Sequence, residues 1–228
     1  MKVLILGAGG ILGQWMRLNV PDLVKPIWHR RTADLMHIGC DLTDATTVRA
    51  FLDQYQSDVI VNLAGESRPD VVEKDPQRYR WINADMPIRL ARWCDENKRR
   101  LIQVSTQAVF SGEEPSYTPE NYCRPVNHYG RQKLAAEDVL AYASAIVVRP
   151  TFILGIRPLP HIGRQNPAEQ ILSGQNRQVD DRWFSPLFAD DAARLIWRIV
   201  THEANGQKVI HLGIPKRVSR FDIALALG

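Results

Sequence analysis

The stretch that decides the fold is Lys2–Gly13, KVLILGAGGILG. Its first residues, Lys2–Leu6, predict a short buried strand, and a glycine-rich turn leads from this strand into a helix. Gly7, Gly10 and Gly13 recur at intervals of three residues. Glycines at such a turn let the backbone approach a pyrophosphate, which the N–H groups of the following helix attract. The stretch therefore predicts the start of a dinucleotide-binding α/β domain, although a tight turn without a ligand is the alternative.

The rest of the chain up to residue 150 alternates short apolar runs with helical patterns, which indicates parallel strands joined by crossover helices. We expect strands over Val24–Trp28, Met36–Cys40, Asp58–Leu63, Arg100–Ser105 and Ala145–Arg149, and helices over Thr46–Tyr55, Asp75–Asn97 and Tyr129–Ala143. The fold class is α/β, a doubly wound Rossmann-type parallel sheet with a small, possibly truncated C-terminal substrate lobe. The boundaries are 1–150 for the dinucleotide-binding domain and 151–228 for the lobe, which is interleaved with the last strands of the sheet.

Composition excludes several classes of protein. The 228 residues are 45% hydrophobic and 24% charged, typical of a globular chain, and the net charge is only +4. Three widely spaced cysteines without a CxxC pair argue against disulfides and against a metal site. No apolar run is long enough to cross a membrane, and four glycines interrupt the apolar start that could resemble a signal peptide. We expect a cytoplasmic protein without nucleic-acid or membrane partners.

The end of the second predicted strand indicates which dinucleotide binds. An NAD site usually has an acidic residue there for the ribose 2′-hydroxyl, but this sequence has Arg30 and Arg31. Two arginines suit a 2′-phosphate, so we predict NADP(H) as the preferred cofactor, with NAD(H) possible and a merely solvated arginine pair as the alternative. Asp41, which precedes Leu42, could accept a hydrogen bond from the adenine amino group; the alternative is that this DLTD segment only caps the next helix, through Asp44 or Thr43.

Tyr129 and Lys133 are four residues apart on a predicted helix and therefore share a face. A nearby ammonium group is expected to lower the pKa of the phenol and make it a usable proton donor and acceptor for a carbonyl/alcohol pair. Ser105 and Thr106 end the fifth predicted strand, at the edge where open α/β sheets bind ligands. One of these hydroxyl groups could hold the oxygen of the substrate.

Together these segments resemble the extended short-chain dehydrogenase/reductases, and within them the dTDP-4-dehydrorhamnose reductase group, which includes the regulatory β subunit of methionine adenosyltransferase. The matching motifs cover most of residues 1–150 in the order of the family. They are GAGGILG (7–13), DLTD (41–44), NLAGESRPDVVE (62–73), the INAD segment with Asn83, VSTQAVFSG (104–112) and HYGRQKLAAE (128–137).

The resemblance implies a role for each matching residue. In the implied catalytic triad, Tyr129 protonates a keto oxygen as hydride arrives, Lys133 binds the nicotinamide ribose and Thr106 hydrogen-bonds the reacting oxygen. The implied substrate contacts are Thr106, Gln107 and Phe152, and the substrate is a nucleotide-activated 4-keto-6-deoxy sugar. The implied cofactor-binding residues are Gly7, Gly10, Ile11, Leu12, Gly13, Arg30, Arg31, Asp41, Leu42, Ala64, Gly65, Glu66, Asn83, Val104, Tyr129 and Lys133, with a helix-capping role as the alternative for Asn83.

The sequence also departs from the family. Gln107 and Ala108 stand where related dehydratases have an acidic pair, so dehydration is not expected. The segment 151–186 could bind a diphosphate through Arg157, His161 and Arg164 but matches no family motif closely. The chain also ends at Gly228, inside a predicted helix. A nucleotide-sugar reductase, an epimerase of the same superfamily and a non-catalytic regulatory subunit that binds NADP therefore all remain open.

Extended reductases often dimerise, so the resemblance also suggests a homodimer formed through the helices predicted at 75–97 and 129–143. The first of these has more apolar residues than one inward face needs, and packing of all of them on the sheet is the alternative. The residues concerned are Trp81, Ile82, Ile88, Leu90, Ala91 and Trp93.

Overall fold

A computed structural model of the chain describes residues 1–31, 33–34, 36–114, 116–158, 167–174, 183–202 and 206–227. The strands are β1 (Lys2–Leu6), β2 (Lys25–Arg30), β3 (Ile38–Gly39), β4 (Val59–Asn62), β5 (Arg100–Val104), β6 (Ala145–Pro150), β7 (Ile153–Leu154), β8 (Trp183–Phe184), β9 (Leu187–Phe188), β10 (Val209–Leu212) and β11 (Val218–Ser219). The helices are α1 (Ile11–Leu18), α2 (Ala45–Tyr55), α3 (Pro69–Lys74), α4 (Pro76–Arg80), α5 (Met86–Glu96), α6 (His128–Ala135), α7 (Pro167–Leu172), α8 (Ala189–Thr201) and α9 (Arg220–Leu227).

Seven strands form one parallel sheet in the order β10-β6-β5-β4-β1-β2-β3. The order reverses at β1, so the carboxyl ends of β1 and β4 meet at the switch point where such sheets bind ligands. The predicted doubly wound sheet is therefore confirmed. β10 comes from the last fifth of the chain, and it joins the sheet beside β6.

Side chains alternate between the two faces of the sheet, as the period of a strand requires. Val3 and Ile5 face a core layer that α1 and α8 cover, whereas Leu4 and Leu6 face the layer of α2 and α5. All four of these β1 side chains are buried. Burial on both faces explains why β1 is a continuous apolar run.

Several predicted elements differ from the observed ones in their internal geometry. The helix predicted over Asp75–Asn97 consists of α4, a π-helical turn over Trp81–Asp85, and α5. The helix predicted over Tyr129–Ala143 starts as α6 and continues as a 3₁₀ helix over Ala136–Ala141. The sequence analysis missed α3, which has proline in its first turn. Proline favours a helix start, so the three prolines of this region were the available signal.

The apolar surplus of the region 75–97 packs inside the molecule. Leu90, Ala91 and Trp93 are buried, and the ring nitrogen of Trp93 donates to Asp53 Oδ1 at 2.7 Å. Trp81, Ile82 and Ile88 pack on the same core layer, where the Trp81 ring nitrogen donates to the Leu42 carbonyl at 2.7 Å. These residues therefore give no support to a dimer surface.

No helix in the described part of the chain is long and apolar enough to cross a membrane.

Candidate active site

The glycine loop lies where the sequence predicted it, between β1 and α1. Gly7 has φ of 75°, and a Cβ atom there would lie 2.7 Å from the backbone of Ala64. A Cβ atom at Gly13 would lie 2.5 Å from the Ala8 backbone, so α1 packs closely on the loop. Gly10 precedes α1, and no side chain caps this helix end. The helix N–H groups are therefore left for an anion such as a pyrophosphate, and the loop fits the cofactor that the resemblance implies.

Arg30 and Arg31 are each paired with an aspartate in the structure. Arg30 Nη1 lies 2.8 Å from Asp34 Oδ2, and Arg31 Nη2 lies 3.1 Å from Asp41 Oδ2. A Cβ atom built on Gly9 would be 3.7 Å from Arg30 Nε, which places this guanidinium beside the glycine loop. Both ion pairs are exposed enough to be weak, so a 2′-phosphate could replace the carboxylates as the partner. Asp41 also accepts from the backbone and hydroxyl of Thr43.

Thr106 and Tyr129 come together at the carboxyl edge of the sheet. Thr106 follows β5, and its Oγ1 accepts from the N–H of Ala108 at 3.1 Å. The Tyr129 hydroxyl lies near the Thr106 side chain, close enough for Thr106 to lower the pKa of the phenol. The other hydroxyl considered, that of Ser105, points elsewhere: it is buried and donates to Glu137 Oε1 at 2.5 Å. The structure thus distinguishes the two adjacent hydroxyl groups that the sequence left open.

The predicted lowering of the Tyr129 pKa is wrong in direction. Burial raises the pKa of the Tyr129 phenol above its ordinary value, the hydrogen bond with Thr106 lowers it less, and the negative charge of Glu66 raises it further. Loss of hydration disfavours the phenolate, and burial is the largest cause of the shift. The phenol therefore stays protonated at neutral pH, which is the form that donates a proton.

Lys133 lies under the end of β5. Its Nζ donates to the carbonyl oxygen of Val104 at 2.7 Å, and the side chain is buried. Burial lowers the pKa of this ammonium to about 8, while the charge of Glu137 acts in the opposite direction. Lys133 is therefore still mostly protonated at neutral pH. Because Val104 also accepts from Gln103 Nε2 at 3.0 Å, its carbonyl is occupied by side chains of the protein.

Asn83 fixes the loop that contains Ala64, Gly65 and Glu66. Its Oδ1 accepts from the N–H of Glu66 at 2.8 Å, and its Nδ2 donates to the Glu66 carbonyl at 3.2 Å and to Gln132 Oε1 at 3.0 Å. Asn83 is buried in the π-helical turn, so it orders the loop rather than capping a helix. Gly65 is required here because a Cβ atom would lie 2.8 Å from Asn83 Oδ1.

The residues predicted to contact substrate follow two neighbouring strands. Gln107 starts a 3₁₀ turn after β5, and it is partly exposed. Phe152 follows β6 and packs on Phe184 with a ring-centroid distance of 4.8 Å. Arg157 forms an ion pair with Glu169 at 3.5 Å. His161 and Arg164, which the sequence analysis named with Arg157, lie outside the described residues.

Several polar residues that hold the site together escaped the sequence analysis. Asn62 Nδ2 donates to Gln103 Oε1 at 2.8 Å behind the strand ends. Arg149 Nη2 donates to Glu137 Oε2 at 2.6 Å, and both side chains are buried. Each of Asn62, Gln103 and Arg149 stands within or ends an apolar strand. A polar residue in such a run was the signal that could have identified them.

Comparisons with known proteins agree with the geometry. The sequence model of a family described as the RmlD substrate binding domain matches residues 1–227. A dTDP-4-keto-6-deoxy-D-glucose reductase of Streptomyces niveus is 29% identical over 97% of this chain and 75% of its own length. Methionine adenosyltransferase 2 subunit beta of Danio rerio is 26% identical over 99% of this chain and 72% of its own. Among solved structures, a dTDP-4-dehydrorhamnose reductase from Clostridium acetobutylicum superposes with a TM-score of 0.85 at 25% identity, covering 100% of this chain and 79% of that one.

Proposed function

Because the chain belongs to the RmlD substrate binding domain family, we propose that it is an NADP(H)-dependent reductase of a nucleotide-activated 4-keto-6-deoxy sugar. The observation that carries the proposal is the approach of the Tyr129 phenol to the Thr106 side chain at the sheet edge, with Lys133 Nζ bonded to the Val104 carbonyl at the end of β5. The relative from Streptomyces niveus is named as a reductase of this substrate class. The three free cysteines, Cys40, Cys94 and Cys123, fit a reducing compartment such as the cytoplasm.

The proposed mechanism assigns one task to each side chain of the triad. The bound nicotinamide would supply hydride to the keto carbon. Thr106 would donate a hydrogen bond to the keto oxygen, and Tyr129 would transfer its phenolic proton to that oxygen as negative charge develops there. The raised pKa of Tyr129 keeps this proton in place before the reaction. Lys133 would offer its ammonium group to the nicotinamide ribose and offset the charge left on Tyr129.

We assign substrate binding to residues 151–228, the smaller lobe. Phe152 and Phe184 form an aromatic pair close to the carboxyl end of β6, and Gln107 extends from the neighbouring strand. An aromatic pair of this kind offers a flat apolar surface to a sugar ring or a base. Neither Gln107 nor Ala108 can act as the acid or base of a dehydratase, so reduction without loss of water is the proposed reaction.

Turnover tests the proposal directly. The chain, NADPH and a panel of nucleotide-linked 4-keto sugars are mixed, and oxidation of NADPH is followed by its absorbance. Oxidation of NADPH that depends on the sugar supports the reductase. Inversion of a stereocentre of the sugar without net oxidation of NADPH would indicate an epimerase. Tight NADP(H) binding without turnover of any sugar would instead favour a regulatory subunit, because a β subunit of methionine adenosyltransferase matches nearly the whole chain.

The preference for NADP(H) gives a testable prediction. Replacement of Arg30 or Arg31 by alanine should raise the Kd of NADP⁺ about 10- to 100-fold, because each variant loses a charge-assisted bond to the 2′-phosphate. The Kd of NAD⁺ should change little. Arg198→Ala, a change of an exposed arginine on α8, is the matched control. Equal effects on both cofactors, or tighter binding of NAD⁺ by the wild type, would contradict the preference.

We also propose a homodimer, formed through the outer face of α6 and of the 3₁₀ helix that follows it. Arg131, Leu134 and Asp138 line a shallow cavity on this face. Arg131 of α6 and Asp138 of the 3₁₀ helix line the same cavity, so two copies related by a two-fold axis would place each arginine near the partner's aspartate. Light scattering after size exclusion would measure the mass. A monomer at micromolar concentration would contradict the proposal.

A further inference from the structure

His29 is a buried histidine that contacts the cofactor-binding segments without belonging to any implied site. It is the fifth residue of β2, and only 2% of its surface is exposed. Its ring packs against Phe51 of α2 with a ring-centroid distance of 5.4 Å. A buried imidazole needs hydrogen-bond partners for both ring nitrogens. The partners of His29 are backbone groups of two other segments.

These partners belong to the segments that surround the expected cofactor. Nδ1 accepts from the N–H of Gly7 at 3.4 Å, at the start of the glycine loop. Nε2 lies 2.9 Å from the carbonyl oxygen of Cys40, which directly precedes Asp41. The backbone carbonyl of His29 also accepts from the N–H of Ala8 at 2.8 Å, and the next residue is Arg30. The His29 side chain therefore connects the glycine loop, which is expected to bind the pyrophosphate, to the segment after β3, which is expected to bind the adenosine.

The two contacts require one protonation state. A carbonyl oxygen only accepts, so Nε2 must carry a proton to bond to Cys40. A backbone N–H only donates, so Nδ1 must be free of a proton to accept from Gly7. The neutral form protonated on Nε2 satisfies both. A second proton, on Nδ1, would point at the Gly7 N–H and push the loop away from β2.

We propose that His29 is a positioning residue for the cofactor, which holds the glycine loop on β2 while neutral and releases it when protonated, an inference that rests on the proposed NADP(H) binding. NADP(H) would then bind more weakly at acid pH because His29 is protonated, and not only because the 2′-phosphate of the cofactor is.

The surroundings of His29 favour its neutral form. Burial lowers the pKa of His29 below its ordinary value, the hydrogen bond to Cys40 opposes this, and the charge of His37 lowers the pKa further. His37 is itself paired with Asp34, and Phe51 on the opposite side is uncharged. The pKa of His29 is lower in the folded protein than in the unfolded chain. Neutral His29 therefore makes its full contribution to the stability of the fold above about pH 6.5, and this contribution is lost as the pH falls through the folded pKa.

The test compares NADP⁺ binding by calorimetry in the wild type and in His29→Asn between about pH 7.5 and 5. Asparagine keeps an acceptor at the position of Nδ1 but does not titrate in this range. The 2′-phosphate itself binds a proton near pH 6, and it does so equally with both proteins. We expect the Kd of the wild type to rise about tenfold more over this range than that of His29→Asn.

Two further variants complete the test. His29→Leu removes both hydrogen bonds and should raise the Kd of NADP⁺ about tenfold or more at neutral pH. His202→Asn, at the exposed end of α8, should behave like the wild type at every pH. The same pH dependence in the wild type and in His29→Asn would overturn the inference. Failure of the wild type to bind NADP⁺ at any pH would instead overturn the proposed function.

Discussion

A Tyr129→Phe variant is expected to reduce its sugar substrate about 10²- to 10⁴-fold more slowly than the wild type, with little change in the Kd of NADP⁺. The phenyl ring preserves the packing of the side chain, but the proton donor is lost. The keto oxygen would then have to take its proton from water. Because burial keeps the phenol protonated, the loss should appear in kcat at neutral pH rather than only in alkali.

A second tyrosine provides the control. Tyr142 lies just after the 3₁₀ helix that follows α6, and its hydroxyl accepts from Arg92 Nε at 3.4 Å, away from Thr106. Tyr142→Phe removes a hydroxyl of the same kind and should leave kcat within about a factor of two. A Tyr129→Phe protein that turns over at the rate of the wild type would exclude Tyr129 as the proton donor.

A Gly130→Ala variant is expected to lose both stability and activity, although the change favours helix formation. Alanine should stabilise an unhindered helix position by about 1 kcal/mol relative to glycine. At Gly130, however, a Cβ atom would lie 2.2 Å from the Ala108 carbonyl oxygen and 2.8 Å from Pro125 Cβ. Since the first of these atoms is backbone, α6 has to move away from the turn that follows Thr106.

The displacement acts on the site because Tyr129 is on α6 and Thr106 precedes the turn. We expect the free energy of unfolding to fall by about 1–3 kcal/mol. We expect kcat/KM to fall about 100-fold, because a displacement of about 1 Å misaligns the hydroxyl groups. Denaturant unfolding and steady-state kinetics measure the two effects. Arg198→Ala, at an exposed position of α8, should retain kcat/KM. A Gly130→Ala protein more stable than the wild type would show that the helix can move freely.

Local patterns predicted most of the fold. The continuous apolar runs at Lys2–Leu6 and Ala145–Arg149 are strands because both faces of a central parallel strand are buried. The helical pattern of the sequence did not reveal that the two long helices change geometry along their length. The π-helical turn at Trp81–Asp85 and the 3₁₀ helix at Ala136–Ala141 carry ordinary helical sequences. Their geometry is determined by what each side chain reaches across space, such as Asn83 reaching the Glu66 loop.

For the catalytic candidates, too, local sequence patterns predicted one part and only the tertiary structure showed the rest. Order along the chain nominated Tyr129, Lys133 and a hydroxyl group at Ser105 or Thr106, because strand ends and helix faces follow from local periodicity. The family resemblance then implied Thr106. The direction of the Tyr129 pKa was not predictable, since it depends on how much water packing removes from the phenol. Likewise, only the structure shows that Arg30 is paired with Asp34.

The sequence by itself determined the parallel sheet, the glycine loop at its switch point and the residues available for a reduction, because each depends on neighbours along the chain. The tertiary structure alone decided that Ser105 is engaged by Glu137, that burial raises the pKa of Tyr129, and which protonation state the buried His29 must have. Those properties depend on atoms that are distant in sequence, and on the removal of water when the chain folds around them.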